Sequence, residues 1–138
     1  MIRRWLTNED GAAAVEFAFI GPVMIVMLMG IVSYGGCFWM SHSLQQLAND
    51  SARATIGGLS SAERYSLAQA TMSSEVQTYP SLSPALTTLS ESENAGAQTV
   101  TVAVSYDAST SPFWAMKNLL PLPAPTLVRQ ATIQLGGY

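Results

Sequence analysis

From Phe17 to Met40 the chain is apolar almost without interruption, and no other feature limits its folding as sharply. Between Asp10 and Asp50 the only formally charged side chain is Glu16. As α-helix, these roughly 24 residues extend about 36 Å at ~1.5 Å per residue, and a bilayer core needs about 20 such residues. Gly21, Pro22 and Gly30 would weaken a helix in water but are tolerated in a membrane helix. The reading is one transmembrane helix over residues 12–40, with Trp5 and Trp39 as aromatic anchors at its two ends.

The helix continues past the span. Ser41 to Ile56 holds no proline or glycine, and Leu44, Leu47, Ala48, Ser51 and Thr55 recur at spacings of three and four. An amphipathic extension is therefore expected over 41–56, with Gly57-Gly58 as a left-handed C-terminal stop. Ser60-Ser61-Ala62-Glu63 reads as a capping box that opens a second helix. Its apolar stripe is Tyr65, Ala68, Met72, Val76 and Tyr79, and Pro80 ends it. Ser81 to Ala97 is rich in Ser, Thr, Glu and Asn and is expected to be a surface loop.

From Gln98 the period changes to two. Val100, Val102, Val104 and Tyr106 alternate with Thr99, Thr101, Ala103 and Ser105, a half-buried strand. A second strand is expected across Thr126–Leu135, with Leu127, Ala131, Ile133 and Leu135 on one face and Arg129 interrupting it. Pro112 to Pro125 lies between them and carries Phe113, Trp114, Met116, Leu119, Leu120 and Leu122. It is either a lid over a small core or a surface for lipid or a partner. The expected architecture is α+β: a long N-terminal helix, membrane-spanning in its first half, then a helix and a small antiparallel β-hairpin domain over 57–138.

Composition excludes several functions. Only 11% of the 138 residues are charged, against roughly 25% for an ordinary soluble domain. A net charge of −3 with six basic residues leaves no cluster able to neutralise phosphates, so no nucleic-acid partner is expected. The single cysteine, Cys37, excludes an intramolecular disulfide and a cysteine-based metal cage. His42 stands alone beside the span, and Glu91, Glu93 and Asp107 form no partner pattern. No catalytic, cofactor or metal site is expected, and the chain reads as a non-enzyme.

The most informative residues stand at the head of the span. A polar leader, residues 1–11 with Arg3, Arg4, Glu9 and Asp10, ends in Gly11. Ala12-Ala13-Ala14-Val15 follows, then Glu16-Phe17. A carboxylate in an apolar helix carries a penalty, up to about 2.5–3.5 kcal/mol at the bilayer centre and less near the interface. A cut after Gly11 would create an amine at Ala12, one turn from Glu16 and on the same helix face, able to offset that charge within a subunit or between neighbours. The positive end of the helix dipole favours Glu16 there as well. Arg3 and Arg4 favour a cytoplasmic N-terminus.

This arrangement resembles the class III signal of type IV pilin-like proteins. In particular, Gly11, the small residues after it, Glu16-Phe17 and Pro22 look like the TadE-like pseudopilins of tight-adherence pili. Leu44 to Ala54 resembles the polar, alanine-rich helix that follows the span in that family. The chain departs in having Ser33 where an acidic residue is expected, and in lacking a cysteine pair in the outer domain.

The resemblance implies cleavage between Gly11 and Ala12 by a prepilin peptidase, and assembly contacts through Glu16 and Phe17. It further implies other pilin-like subunits and a pilus assembly platform as partners, and a single-pass inner-membrane location with the C-terminal domain outside the cytoplasm. The competing reading is a membrane-anchored or lipidated envelope protein with an interaction domain. Ser33-Tyr34-Gly35 would then be a signal-peptidase site, or Gly35-Gly36-Cys37 a lipoprotein site. Against it, Glu9, Asp10 and Glu16 outweigh two arginines before the apolar run, and Tyr34 stands where a lipoprotein site has leucine.

Overall fold

A computed structural model describes residues 9–135. Most of the leader and the last three residues lie outside it, including the expected anchor Trp5 and the basic pair Arg3 and Arg4. Helix α1 runs unbroken over Glu9–Ala54, straight through Pro22. It tightens into a 3-10 turn at Thr55–Gly57. Gly58 follows in extended conformation (φ −86°, ψ 133°), so the expected left-handed stop does not form. Glycine is needed at 58 for another reason. A Cβ there would lie 2.8 Å from the Arg64 backbone nitrogen, so the start of the next helix occupies the space a side chain would fill.

That helix, α2, spans Ser61–Glu75 and ends in a 3-10 turn at Val76–Thr78. Its N-cap is the expected serine: Ser60 Oγ accepts the Glu63 N–H at 3.3 Å. The Glu63 carboxylate reaches back to the Leu59 N–H at 2.9 Å, one residue earlier than in the standard box. Ala68, Met72 and Val76 are buried, whereas Tyr65, expected on the same stripe, is exposed.

Three antiparallel strands follow in the order β1 (Thr87–Asn94), β2 (Thr99–Asp107) and β3 (Thr126–Gln134). The β2–β3 pair is the expected hairpin, with Val102 opposite Ala131 and Tyr106 opposite Leu127. Strand β1 lies in the stretch expected to be a loop. Its inward positions are Thr87, Leu89, Glu91 and Glu93, so the period of two is present but half of its inner face is acidic. A tight turn joins it to β2, with Asn94 Oδ1 accepting the Gly96 and Ala97 N–H groups, each at 3.1 Å.

The sheet lays its inner face on the helices. α1 packs against α2, β2 and β3, and α2 against β1. The core holds Leu44, Leu47, Ala48, Val100, Val102, Val104 and Trp114, all buried. Leu44, Leu47, Ala48, Ser51 and Thr55 are all covered, as their spacing predicts. The covered stripe also begins earlier than the spacing reveals, taking in Ser33, Cys37 and Met40. Below Ser33 the helix is bare.

Candidate functional site

Residues 11–32 of α1 stand clear of the rest of the chain. Every side chain in this stretch is exposed, apart from the half-covered Gly21 and Gly30. The bare segment is about 33 Å long at ~1.5 Å per residue, close to the ~30 Å hydrocarbon core of a bilayer. Its surface is carried by residues such as Phe19, Val23, Met27 and Ile31, exposed by 59–75%. An unpartnered apolar helix of this size is unstable in water, and a membrane or a bundle of like helices would cover it.

The four residues singled out in the sequence sit at the head of this segment. Helix α1 covers Glu9–Ala54, so Gly11 lies within it, and apart from the helix's own backbone nothing among the described residues lies within 4 Å of where its Cβ would be. Ala12 and Glu16 are one turn apart, and both are exposed. Among the described residues no cation lies within 4 Å of Glu16. Phe17 is 71% exposed, and its ring lies along Gly21, one turn on, at ordinary van der Waals distance. Pro22 leaves the carbonyl of Ala18 without its helical donor. The arrangement offers a carboxylate and a flat aromatic face to something outside this chain.

At its other end the bare segment meets the connection between β2 and β3. This stretch, open to two readings in the sequence, covers the core with Trp114 and leaves Leu119 exposed. Pro112–Trp114 forms a 3-10 turn, and Trp114 is buried with its indole Nε1 donating to the Pro123 carbonyl at 2.9 Å. The Phe113 ring lies on Gly36, and the Tyr34 hydroxyl donates to the Pro121 carbonyl. Sequence reasoning did not find this contact. Its signal was Gly35-Gly36, a glycine pair that lets another backbone approach a helix closely. Cys37, the lipoprotein candidate, is buried in mid-helix under the same stretch.

The carboxylates read as loop residues prove to have partners or burial. Arg64 Nε donates to Glu93 Oε1 at 2.7 Å, which holds the Glu93 carboxyl below the usual carboxylate range. Glu91 faces inward opposite Val102, and no donor reaches either of its oxygens. Burial, and then the charge of Glu93, push its pKa up. The Asp107 carboxylate accepts the Ser109 N–H at 2.9 Å, which lowers its pKa. His42 is exposed and lies 3.3 Å from the Gln46 side-chain amide. Among the described residues, no group of three or more His, Cys, Asp or Glu side chains is placed to hold a metal ion.

The family model described as TadE-like protein matches residues 11–53. The match starts at Gly11, covers the bare segment and the packed half of α1, and stops one residue short of that helix's end. It is the family that the leader, Glu16-Phe17 and Leu44–Ala54 resemble. No curated protein and no solved structure matches the chain.

Proposed function

We propose, from a helix that matches the TadE-like family, that this chain is a minor pilin-like subunit of a tight-adherence-type pilus and not an enzyme. A prepilin peptidase cuts after Gly11 on the cytoplasmic side. The new amine at Ala12 then pairs with Glu16, within the subunit or across to a neighbour, as the bare helix packs among like helices. An uncut chain lacks that amine, which couples processing to assembly. The domain beyond the span stands outside the cytoplasm.

One observation carries this reading. The family match takes in the whole segment the domain leaves uncovered, and the uncovered segment bears a single carboxylate one turn after a residue that cleavage would make N-terminal. Burying that carboxylate without a counter-charge is unfavourable in either lipid or a helix bundle. The burial of Cys37 in mid-helix weighs against the lipidated alternative.

Intact mass, with and without the peptidase, separates the readings. The proposal expects 138 − 11 = 127 residues beginning at Ala12, and Gly11→Leu should block the cut. Glu16→Leu should leave cleavage intact while impairing pilus production. Normal piliation with Glu16→Leu would exclude the carboxylate as an assembly contact, and an N-terminus at Gly36 or Cys37 would overturn the pilin reading itself.

A further inference from the structure

We infer that the loop between β2 and β3 is a membrane-resting foot, sunk into the leaflet on the domain's side with its underside in the hydrocarbon and its outer part among the headgroups. The inference rests on the reading that residues 11–32 cross a bilayer. A cleft of about 320 Å³ opens where the loop overhangs the helix, lined by Leu28, Met29 and Val32 below and Pro112, Phe113 and Met116 above. The loop therefore reaches down beside residues of the bare apolar segment. Whatever bathes Leu28–Val32 also bathes the underside of the loop.

The loop is built for a place with little water. From Pro112 to Pro125 its only charged residue is Lys117. Leu119 is 59% exposed and points at nothing in the chain. Four of the fourteen residues are prolines, with no N–H to satisfy. Of the other ten N–H groups, seven donate inside the loop or to Ser111 beside it. Irregular backbone is excluded from lipid because its polar groups go unpaired, and here most are paired. An ordinary exposed surface loop has no use for that economy.

The exposed aromatics of α1 set the depth. Phe38 and Trp39 are exposed by 71% and 50% at the height of the loop, and Phe38 lines a second cleft with Pro121, Leu122 and Pro123. From Glu16 to Trp39 the helix rises about 35 Å, between the ~30 Å hydrocarbon core and the 40–45 Å of a bilayer with its headgroups. Placing Glu16 in one interface and Trp39 in the other, where tryptophan is favoured, puts the loop in the second interface too. A membrane surface drawn lower, at Ser33, would leave Phe38, Trp39 and Leu119 all in water. Lys117 can extend its stem along the apolar layer and keep its ammonium among headgroups.

The test places an environment-sensitive nitrobenzoxadiazole label on single cysteines in the full chain carrying Cys37→Ala. The protein is reconstituted in vesicles of phosphatidylethanolamine and phosphatidylglycerol. The labelled positions are Leu119→Cys in the loop, Val23→Cys in the span and Ser92→Cys on the far end of the sheet, all exposed. The Leu119 label should emit to the blue of the Ser92 label, and a headgroup-borne nitroxide should quench it more than one at mid-chain. The Val23 label should show the reverse quenching order. If Val23 is quenched while Leu119 behaves like Ser92, the loop stands in water or is kept for a neighbouring subunit, and the foot is refuted while the span survives. If Val23 is not quenched either, the spanning reading falls and takes the foot with it.

Discussion

Gly35 and Gly36 are adjacent, chemically identical and in the same helix, yet alanine at each should act with opposite sign. A Cβ on Gly36 would sit 2.2 Å from both Cγ and Cδ1 of Phe113, where ordinary contact begins at 3.4 Å. Turning the ring about its Cβ–Cγ bond cannot relieve this, because Cγ lies on that axis. Either the Phe113 side chain must swing to another χ1 rotamer or the Pro112–Phe113 backbone must lift off α1 by more than about 1 Å, and over-packing of this kind costs about 1–3 kcal/mol. Replacing glycine within a helix returns about 0.5–1 kcal/mol. The net loss for Gly36→Ala is therefore up to about 2.5 kcal/mol. At Gly35 no atom lies within 4 Å of the added carbon, so only the helix gain remains. In a domain of this size each kcal/mol moves the melting midpoint by about 4–8 °C. Thermal unfolding of the full chain in detergent, followed by the fluorescence of buried Trp114, should place Gly36→Ala below wild type and Gly35→Ala at or above it. Adding Phe113→Leu to Gly36→Ala should recover part of the loss, since the two sites share one contact. A Gly36→Ala midpoint equal to that of Gly35→Ala would show that the loop does not rest on the helix there.

Two further outcomes are expected in the outer domain. Burial, and then Asp50, push the Glu75 pKa up, as burial does for Glu91. A raised folded-state value means the folded chain holds more protons than the unfolded one, so stability is fullest below the unfolded value of about 4.3 and declines as pH rises through the window above it. Glu75→Gln and Glu91→Gln should each match wild type near pH 4 and melt higher than wild type at pH 7. A constant gap across that range would refute the assignment. Ser60→Ala removes the acceptor of the Glu63 N–H and should cost about 1 kcal/mol, read as a lower melting midpoint; no shift would show the cap to be idle.

The parts of the fold that could be read in advance are those where an apolar period shows against a polar background. Leu44, Leu47, Ala48, Ser51 and Thr55 stand out between Gln45, Gln46, Asn49 and Asp50, and all five are buried. The alternation of Val100 to Tyr106 with Thr and Ser revealed β2 in the same way. Inside the apolar run that contrast vanishes. Ser33, Cys37 and Met40 face the domain while Ile31, Phe38 and Trp39 do not, and hydropathy cannot tell the two faces apart. Strand β1 was hidden for the opposite reason. Its inner positions include Glu91 and Glu93, kept there by contact with the start of α2 and the Arg64 guanidinium, which only the tertiary fold supplies. The head of the apolar segment carries a local pattern, one glycine, small residues and one carboxylate at fixed spacing, and the family match begins at that glycine. The overhanging loop could not be read in advance, because it joins Phe113 to Gly36 across 77 positions of chain.

Because one helix serves both halves, the domain and the apolar segment are mechanically one piece. α1 runs from Glu9 to Ala54 without a break, and the sheet, α2 and the overhanging loop are fastened to its second half by a buried stripe. No linker separates the domain from the apolar segment, so a rotation of that segment turns the domain with it. The stripe also fixes which faces stay free. At about 100° per residue, Ser33, Cys37, Met40 and Leu44 lie roughly a quarter-turn round the helix from Glu16, while Tyr34 and Phe38 lie nearly above it. The face that carries Glu16 is thus uncovered along the bare helix, and at Tyr34 and Phe38 it meets the loop at Pro121–Pro123. A neighbour that meets Glu16 can pack along α1 as far as Ile31 without displacing any part of this chain.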